Sequence, residues 1–292
     1  MHVVPASNER FLSKAASLAP DAFLLDLEDG VAPADKAAAR RAAVEVLQGR
    51  TLEHATCLVR VNASDSSWFA DDLDALVSGA GSRLDGVALP KAGSAAQVAE
   101  LDHRLSALEQ REGITPQQIG LAVIIEHAEG FVHLDEILSA SRRVDTVLFG
   151  PLDFAASLAM PGADGLTALD PAQEAAFLMV RARVLIAARA VGACAVDGPF
   201  FRPADETGLL QEARSAASLG YDGKLTIHPS QIAPVNETFT PTAAELARAL
   251  AITRLFDGSA PGALRHEGAM VDEATRKLAE RTVRRARAAG LG

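Results

Sequence analysis

The chain has 292 residues, of which 49% are hydrophobic, so it can bury a large core either as one barrel or as two ordinary domains. Its formal charge of −10 excludes a generally cationic surface, and we therefore predict no binding of nucleic acid. Arginines interrupt the most apolar later segments, and the amino-terminal residues lack the basic and apolar stretches of a signal peptide. We therefore predict neither export nor insertion into a membrane.

The two cysteines, Cys57 and Cys194, lie far apart in the sequence, each within an apolar run. We predict that each is a small buried side chain and neither a disulfide partner nor a metal ligand. This use of cysteine is typical of a reducing compartment. The expected location of the protein is therefore the cytoplasm.

Short runs rich in Val, Ile and Leu recur along the chain, with Ala-rich segments between them. Parallel strands joined by crossover helices have this pattern. Eight strands are predicted, at residues 2–5, 22–28, 57–62, 86–91, 121–126, 146–150, 194–198 and 224–228. The segment after the fourth strand shows the spacing of three and four that is typical of a helix, at Val98, Leu101, Leu105 and Leu108.

Eight such units in alternation, with no linker-like stretch near the middle, favour one (β/α)8 TIM barrel of the α/β class over two doubly wound domains. We assign the barrel to residues 1–240. Helical patterns over residues 243–256 and 272–289, joined by the turn-rich segment 258–270, follow it. They predict a C-terminal helical extension, residues 241–292, that packs on the barrel or on a neighbouring subunit.

Polar and charged residues occur at or just after the ends of seven predicted strands. In a barrel of this type the active site lies at the C-terminal ends of the strands. Any one of these residues could instead be a helix cap or an ion-pair partner. Their convergence on one end predicts an active site that contains Asp26, Glu28, Asp29, Arg60, Asn62, Lys91, Glu126, Asp153, Asp197 and His228.

Glu126 and Asp153 come from adjacent predicted strands and offer hard oxygen ligands, which suit Mg²⁺ or Mn²⁺ better than zinc. Two protein ligands leave room for a hydroxy or keto acid that chelates the ion. Arg60 would then complement the charge that develops on an oxygen of the substrate. Its alternative role is a buried ion pair with Glu28 or Asp29.

Eight sequence blocks, in this order, carry a family resemblance: VPASNERFLSKA, LLDLEDGVAPADKAAAR, VRVN, LPKAGS, IIEHAEG, FGPLDF, GKLTIHPSQI and GAMVDEA. Together they extend from Pro5 to Asp272, and the chain resembles the HpcH/HpaI aldolase and citrate lyase β-subunit family. That family includes malyl-CoA and citramalyl-CoA lyases. The resemblance implies a Mg²⁺-dependent enzyme, with Mn²⁺ as an alternative ion. Such an enzyme cleaves or forms a carbon–carbon bond beside a CoA thioester, with an acyl-CoA and a keto acid as products or substrates.

The resemblance also implies roles for individual residues near the centre of the site. Glu126 and Asp153 match the Mg²⁺ ligands of the family. Arg60 matches the arginine that stabilises the oxygen of the keto acid or of the enolate. Glu28 and Asp29 are then similar to acids that hold Arg60 or metal-bound water.

Three further positions match the family at the edge of the predicted site. Arg10 and Lys14 match basic positions associated with phosphates of the substrate or of CoA, although exposed basic residues are common on any first helix. Asp272 matches an acid that reaches the active site from a neighbouring subunit, which implies a homo-oligomer, with a trimer as the expected state. Asp272 also precedes a helical run, so the N-cap of that helix is an equally physical interpretation. An acyl-carrier protein is an alternative to CoA as the carrier of the thioester.

Three other functions compete with a thioester lyase. The first is a class I aldolase that forms a Schiff base on Lys91 and needs no metal; Lys224 suits this role less, because it begins the eighth predicted strand and should face the opposite end of the barrel. The second is a metal-dependent aldolase that acts on free hydroxy-keto acids through Glu126 and Asp153. The third is a noncatalytic subunit within a larger assembly.

Overall fold

A computed structural model describes residues 1–162, 166, 169–256, 264–266 and 268–291. Its main sheet has eight parallel strands in chain order, each hydrogen-bonded to the next. They are β1 (His2–Pro5), β2 (Ala22–Asp26), β3 (Thr56–Arg60), β4 (Gly86–Leu89), β5 (Gly120–Ile125), β6 (Val144–Phe149), β7 (Cys194–Asp197) and β8 (Gly223–Lys224). The prediction of an α/β fold with eight parallel strands is confirmed.

The sheet curls until its first and last strands meet. A parallel bridge joins His2 to Thr226, just beyond β8, and the N–H of Val3 donates to the carbonyl oxygen of Thr226 at 2.9 Å. The strand β8 is shorter than predicted, because the N–H groups of Ile227 and His228 donate to the side-chain oxygen of Gln231. These two amides therefore leave the ladder.

Helices follow the strands along the chain. The described helices are α1 (Glu9–Ala15), α2 (Lys36–Gln48), α3 (Phe69–Ala80), α4 (Ala95–Glu112), α5 (Ala128–Val132), α6 (Leu134–Ser139), α7 (Pro151–Ser157), α8 (Pro171–Val191), α9 (Glu206–Leu219), α10 (Ile232–Phe239), α11 (Ala243–Phe256) and α12 (Glu273–Ala288). Local sequence sets their ends: Ser94 and Gln97 form a capping box at the start of α4, and Gly113 ends it with a φ of 68°. None of the described helices is long and apolar enough to cross a membrane.

One face of the sheet forms a continuous apolar core that includes Leu24, Leu58, Ala88, Ala122, Ile124, Leu148, Val196 and Leu225. Side chains alternate between the two faces of a strand. Asp26 lies two residues after Leu24, and Arg60 lies two residues after Leu58. Both therefore point to the same side of the sheet as the core, at the C-terminal ends of their strands.

The chain divides into two compact units, Met1–Val235 and Asn236–Gly292. In the second unit α11 packs against α12 around an apolar cluster that includes Ile252 and Val283. The short strands β9 (Leu264–His266) and β10 (Ala269–Val271) pair in antiparallel fashion in the same unit. The two helices lie within or beside their predicted ranges, whereas residues 257–263 and 267, in and beside the predicted turn-rich segment, lie outside the described residues.

The burial of the cysteines follows the prediction at one position and contradicts it at the other. Cys57 is buried, with its sulfur 3.7 Å from the carbonyl oxygen of Leu52. Cys194 is exposed, so the prediction that it is buried was wrong. It is the first residue of β7, where the strand enters the sheet and only the following residues are covered.

A buried ionic cluster lies at the N-terminal end of the strands, opposite the predicted active site. Arg143, just before β6, contacts Glu109 and Asp102 at 2.6 Å each. Glu109 also accepts the backbone N–H groups of Gln117 and Ile119, which lead into β5. The cluster therefore joins α4 to two strands at the end of the sheet opposite the predicted active site.

We expect Arg143→Met to lower the free energy of unfolding by about 3–5 kcal/mol, because the substitution leaves the buried carboxylate of Glu109 and the half-buried one of Asp102 without their cation. Urea denaturation of both proteins measures the change. The matched control is Arg104→Met, which removes an exposed arginine paired with Glu100 and should cost less than about 1 kcal/mol. Equal losses of unfolding free energy in the two variants would show that burial does not increase the contribution of the cluster to stability.

Candidate active site

Asp26 and Arg60 form the best-defined ion pair of the site. They are opposite each other in the register of β2 and β3, and Nε and one terminal nitrogen of Arg60 donate to the two oxygens of Asp26 at 2.7 and 2.8 Å. The backbone N–H groups of Glu28 and Gly30 donate to the same carboxylate. Burial alone would raise the pKa of Asp26, but these hydrogen bonds outweigh it and hold the pKa below its usual value.

This arrangement adds Asp26 to the partners expected for Arg60. The sequence indicated Glu28 or Asp29, whereas the two-pronged contact is made by Asp26, and Asp29 has no contact with Arg60 among those described. Gly30 is part of the reason, because a Cβ atom at this position would lie 2.4 Å from an oxygen of Asp26. The loop can therefore wrap closely around the carboxylate.

Glu28 lies between two cationic side chains. Its Oε2 is 3.3 Å from Nη1 of Arg60, and its Oε1 is 2.6 Å from Nζ of Lys91. Asp29 is more exposed and contacts Nζ of Lys91 at 3.2 Å. The predicted support of Arg60 by Glu28 thus has a direct contact. The carboxylate of Asp29 reaches the network through Lys91, and its backbone N–H donates to Oε2 of Glu28 at 3.1 Å.

The contacts of Lys91 bear on the Schiff-base alternative. Burial alone would lower the pKa of Lys91, but its hydrogen bond and ion pair with Glu28, together with the charge of Asp29, raise the pKa above its ordinary value. A Schiff base forms from the uncharged amine. The amine of Lys91 is therefore protonated at neutral pH and poorly suited to act as a nucleophile.

Lys36 is a residue of this region to which the sequence alone gave no role. It is buried, and its ammonium group donates to the carbonyl oxygens of Leu27 and Glu28 at 2.8 and 2.7 Å. The same group lies 5.3 Å from the centre of the Trp68 ring. Lys36 therefore fixes the backbone of the loop that follows β2. Its position at the end of the sequence block DLEDGVAPADK is the feature from which a role near the site could have been predicted.

Glu126 and Asp153 lie at the C-terminal ends of adjacent strands, Glu126 directly after β5 and Asp153 in the first turn of α7, which follows β6. Glu126 is 2% exposed, and the backbone N–H of Lys91 donates to its Oε1 at 2.7 Å. Burial raises the pKa of Glu126 to about 8; the charge of Arg60 opposes this shift and that of Asp153 adds to it. A nearby divalent cation would favour the ionised forms of both carboxylates, so the two residues fit a metal site.

The chemistry of this pair suits a hard cation. Among the described residues no group of three or more His, Cys, Asp or Glu side chains could hold a metal ion. His127 follows Glu126 in the sequence but forms no such group with the two carboxylates. Two carboxylates with free positions for water and substrate are typical of a Mg²⁺ site.

Three residues expected at the site have their contacts elsewhere. Asn62 donates from its side chain to Asp72 at 2.6 Å, and exposed His228 lies 2.8 Å from the hydroxyl of Ser230. Asp197 pairs with Arg181 and Lys224. For Asp197 the prediction of convergence with the other charges was wrong, whereas for Asn62 and His228 it stays a prediction. For Asp197 the reason is alternation, since Val196 faces the core and the next residue faces the helices.

Lys224 also differs from its expected position. It was predicted to face the N-terminal end of the barrel, but its Nζ donates at 2.7 Å to the carbonyl oxygen of Gly198, just beyond the C-terminal end of β7. The register pairs Lys224 with Asp197, the last residue of β7. A strand as short as β8 leaves Lys224 near that end.

The remaining predicted residues lie on helices. Arg10 and Lys14 are both exposed on α1, which follows β1. Asp272 is the N-cap of α12, and its carboxylate accepts the N–H of Thr275 at 3.0 Å. The capping interpretation is therefore observed directly, while contact of any of the three with a substrate stays a prediction.

The chain is similar to known proteins over most of its length. The model of the family described as HpcH/HpaI aldolase/citrate lyase matches residues 1–229. The chain therefore belongs to the HpcH/HpaI aldolase/citrate lyase family. The resemblance seen in the sequence is confirmed.

Individual relatives of this family cover nearly the whole chain. The L-malyl-CoA/β-methylmalyl-CoA lyase of Cereibacter sphaeroides is 36% identical over 299 residues, which are 97% of this chain and 92% of the relative. The citrate lyase subunit β of Escherichia coli is 32% identical over 100% of this chain and 94% of its own length. A crystal structure of CitE from Mycobacterium tuberculosis, in complex with magnesium, acetoacetate and coenzyme A, is 35% identical. It covers 98% of this chain and 96% of its own, with a TM-score of 0.75.

We expect Gly150→Ala to weaken the binding of Mg²⁺ by about tenfold or more, the scale seen when the support of a metal ligand is disturbed. A Cβ atom at Gly150 would lie 2.5 Å from both Cβ and Oε2 of Glu126, so the carboxylate must move. Isothermal titration with Mg²⁺ measures the affinity. Gly223→Ala is the control, because its Cβ atom would meet nothing within 4 Å. Equal affinities in the two variants would argue against Glu126 as a ligand.

Proposed function

We propose that this chain is a Mg²⁺-dependent carbon–carbon lyase that cleaves a β-hydroxyacyl-CoA thioester, such as malyl-CoA or citramalyl-CoA, to an acyl-CoA and a keto acid, or catalyses the reverse. The observation that carries the proposal is the Glu126 and Asp153 pair beside Arg60, whose orientation Asp26 fixes. Two relatives support the chemistry, one named as a malyl-CoA lyase and one bound to magnesium, acetoacetate and coenzyme A.

The bound Mg²⁺ would be held by Glu126 and Asp153 and would supply a Lewis acid that polarises the oxygen of the keto acid. Arg60 stabilises charge on the same oxygen. Because Asp26 holds two of its nitrogens, the guanidinium is oriented before the substrate arrives, and stabilisation of a developing charge requires such preorganisation. Glu28 holds the remaining terminal nitrogen, and Asp29 supports Glu28 through Lys91.

The proposal extends to the parts of the molecule around this centre. The curled sheet is the wall of a (β/α)8 barrel within residues 1–240, and residues 241–292 form a helical extension. Arg10 and Lys14, exposed on the helix that follows β1, bind phosphates of CoA. The protein acts in the cytoplasm as a homo-oligomer, a trimer in the simplest case, and an acyl-carrier protein is the alternative carrier of the acyl group.

A lyase assay on malyl-CoA, citramalyl-CoA and other β-hydroxyacyl-CoA thioesters tests the reaction. We expect release of a keto acid that requires Mg²⁺ and stops with EDTA. Glu126→Gln and Asp153→Asn should remain folded and lose both Mg²⁺ affinity and most turnover, because each removes one charged ligand. Turnover that persists in EDTA would contradict the metal mechanism, and activity confined to free hydroxy-keto acids would replace the thioester lyase with an aldolase.

We further propose that Asp272 acts in the active site of a neighbouring subunit in addition to capping α12. If so, Asp272→Ala should reduce turnover without abolishing Mg²⁺ binding. Mixing unfolded Asp272→Ala and Arg60→Ala proteins and refolding them together should restore part of the activity, since some sites then combine two intact residues. The same mixture without any recovery would leave Asp272 with its capping role alone. Circular dichroism of Asp272→Ala monitors the helix.

A further inference from the structure

Building on the proposed function, we propose that Lys91 is a positioning residue that acts on two carboxylates at once. Its backbone N–H fixes Glu126 for the divalent cation. Its ammonium group fixes Glu28 beside Arg60. One residue thereby couples the metal-binding side of the site to the side that stabilises the substrate oxygen.

The backbone of Lys91 has an unusual conformation for a residue with a side chain. Its φ is 52°, in the left-handed region, two residues after the end of β4. Because φ is the rotation about the N–Cα bond, it sets the angle between the N–H group and the side chain of the same residue. With the N–H directed at Glu126, an ordinary negative φ would direct the side chain elsewhere. Strained backbone of this kind is often held at functional sites.

The N–H group of Lys91 determines which oxygen of Glu126 remains available. It donates to Oε1 at 2.7 Å, and this hydrogen bond favours the ionised carboxylate. No donor within the described part of the chain forms a hydrogen bond with Oε2. That oxygen lies against Gly150, where a Cβ atom would come within 2.5 Å. The amide of Lys91 therefore orients Glu126 with Oε2 as its free ligand atom.

The ammonium group of Lys91 acts on the other side of the site. It contacts Oε1 of Glu28 at 2.6 Å, while Oε2 of the same carboxylate contacts Arg60 at 3.3 Å. Glu28 is buried, and burial raises its pKa above the usual value even with both cations present. Loss of the ammonium group would remove the contact that holds Oε1 of Glu28 and leave those at Oε2, from Arg60 and from the backbone N–H of Asp29. The buried carboxylate would then be free to change its position against Arg60.

Two substitutions separate the backbone contribution from that of the side chain. Lys91→Gly removes the ammonium group but adopts a positive φ without strain. Lys91→Val removes the same group and also disfavours a positive φ, because its side chain is branched at Cβ. Isothermal titration with Mg²⁺ alone reports on Glu126, and kcat and KM on the thioester cleaved by the wild type report on Glu28 and Arg60.

We expect Lys91→Gly to bind Mg²⁺ within about threefold of the wild type while its kcat falls by about tenfold or more. We expect Lys91→Val to lose Mg²⁺ affinity as well, by about tenfold to a hundredfold, the usual effect of removing a partner that orients a ligand. Lys91→Ala takes the place of the valine variant if that protein does not fold, since alanine also disfavours a positive φ.

The chain contains a matched control for the backbone effect. Gln117 has a φ of 61°, and its N–H donates to the buried carboxylate of Glu109 at 2.9 Å, at the opposite end of the strands. Gln117→Gly and Gln117→Val therefore impose the same backbone demands away from the site. We expect Gln117→Val to lower the unfolding temperature and to leave Mg²⁺ affinity and kcat unchanged.

Equal Mg²⁺ affinity in Lys91→Gly and Lys91→Val would overturn the role of the backbone, and an unchanged kcat in Lys91→Gly would overturn that of the ammonium group. A loss of Mg²⁺ affinity in Gln117→Val equal to that in Lys91→Val would reduce the effect to general destabilisation. The Mg²⁺ titration needs no substrate. A wild type that binds Mg²⁺ but cleaves no thioester would therefore refute the proposed function and leave the backbone comparison intact.

Discussion

The buried pair of Asp26 and Arg60 is the interaction on which the rest of the site depends. A buried ion pair is costly unless further hydrogen bonds satisfy it, and here the carboxylate accepts four, two from Arg60 and two from the backbone of residues 28 and 30. The register of β2 and β3 brings the pair together. The turn around the carboxylate then places Glu28 against Arg60 and Lys91, so the geometry of the site follows from the pairing of two strands.

The charge around this pair supports the fit of a divalent cation. Five carboxylates surround the site, those of Asp26, Glu28, Asp29, Glu126 and Asp153, against three cationic side chains, those of Lys36, Arg60 and Lys91. When all are ionised, these eight groups carry a net negative charge, which a divalent cation would reduce. The raised pKa of Glu126 has the same origin, since burial of a carboxylate next to another favours the neutral form.

The strands could be predicted from the sequence because buried parallel strands appear as apolar runs. The end of β8 could not, since it depends on a side chain, that of Gln231, which takes two amides from the ladder. The partner of Arg60 could have been predicted from the alternation of side chains along a strand. Asp26 lies two residues after the core residue Leu24 and therefore faces the same side of the sheet. Asp197 lies one residue after the core residue Val196 and therefore faces the opposite side. The acidic block 26–29 concealed this signal, because extending the strand to residue 28 made three carboxylates look equivalent.

Lys36, Lys91 and Lys224 show how the fold disfavours one chemistry while it prepares another. A carbon–carbon lyase can activate a carbonyl through an uncharged lysine or through a Lewis acid. Lys36 donates to two carbonyl oxygens, Lys91 contacts two carboxylates, and Lys224 donates to Asp197 and Gly198. Each amine is thus engaged as a donor and would have to break these contacts to attack a carbonyl. The contacts of Lys91 and Lys224 also orient carboxylates, and those of Lys36 fix the backbone after β2, so all three lysines serve as fixed cations.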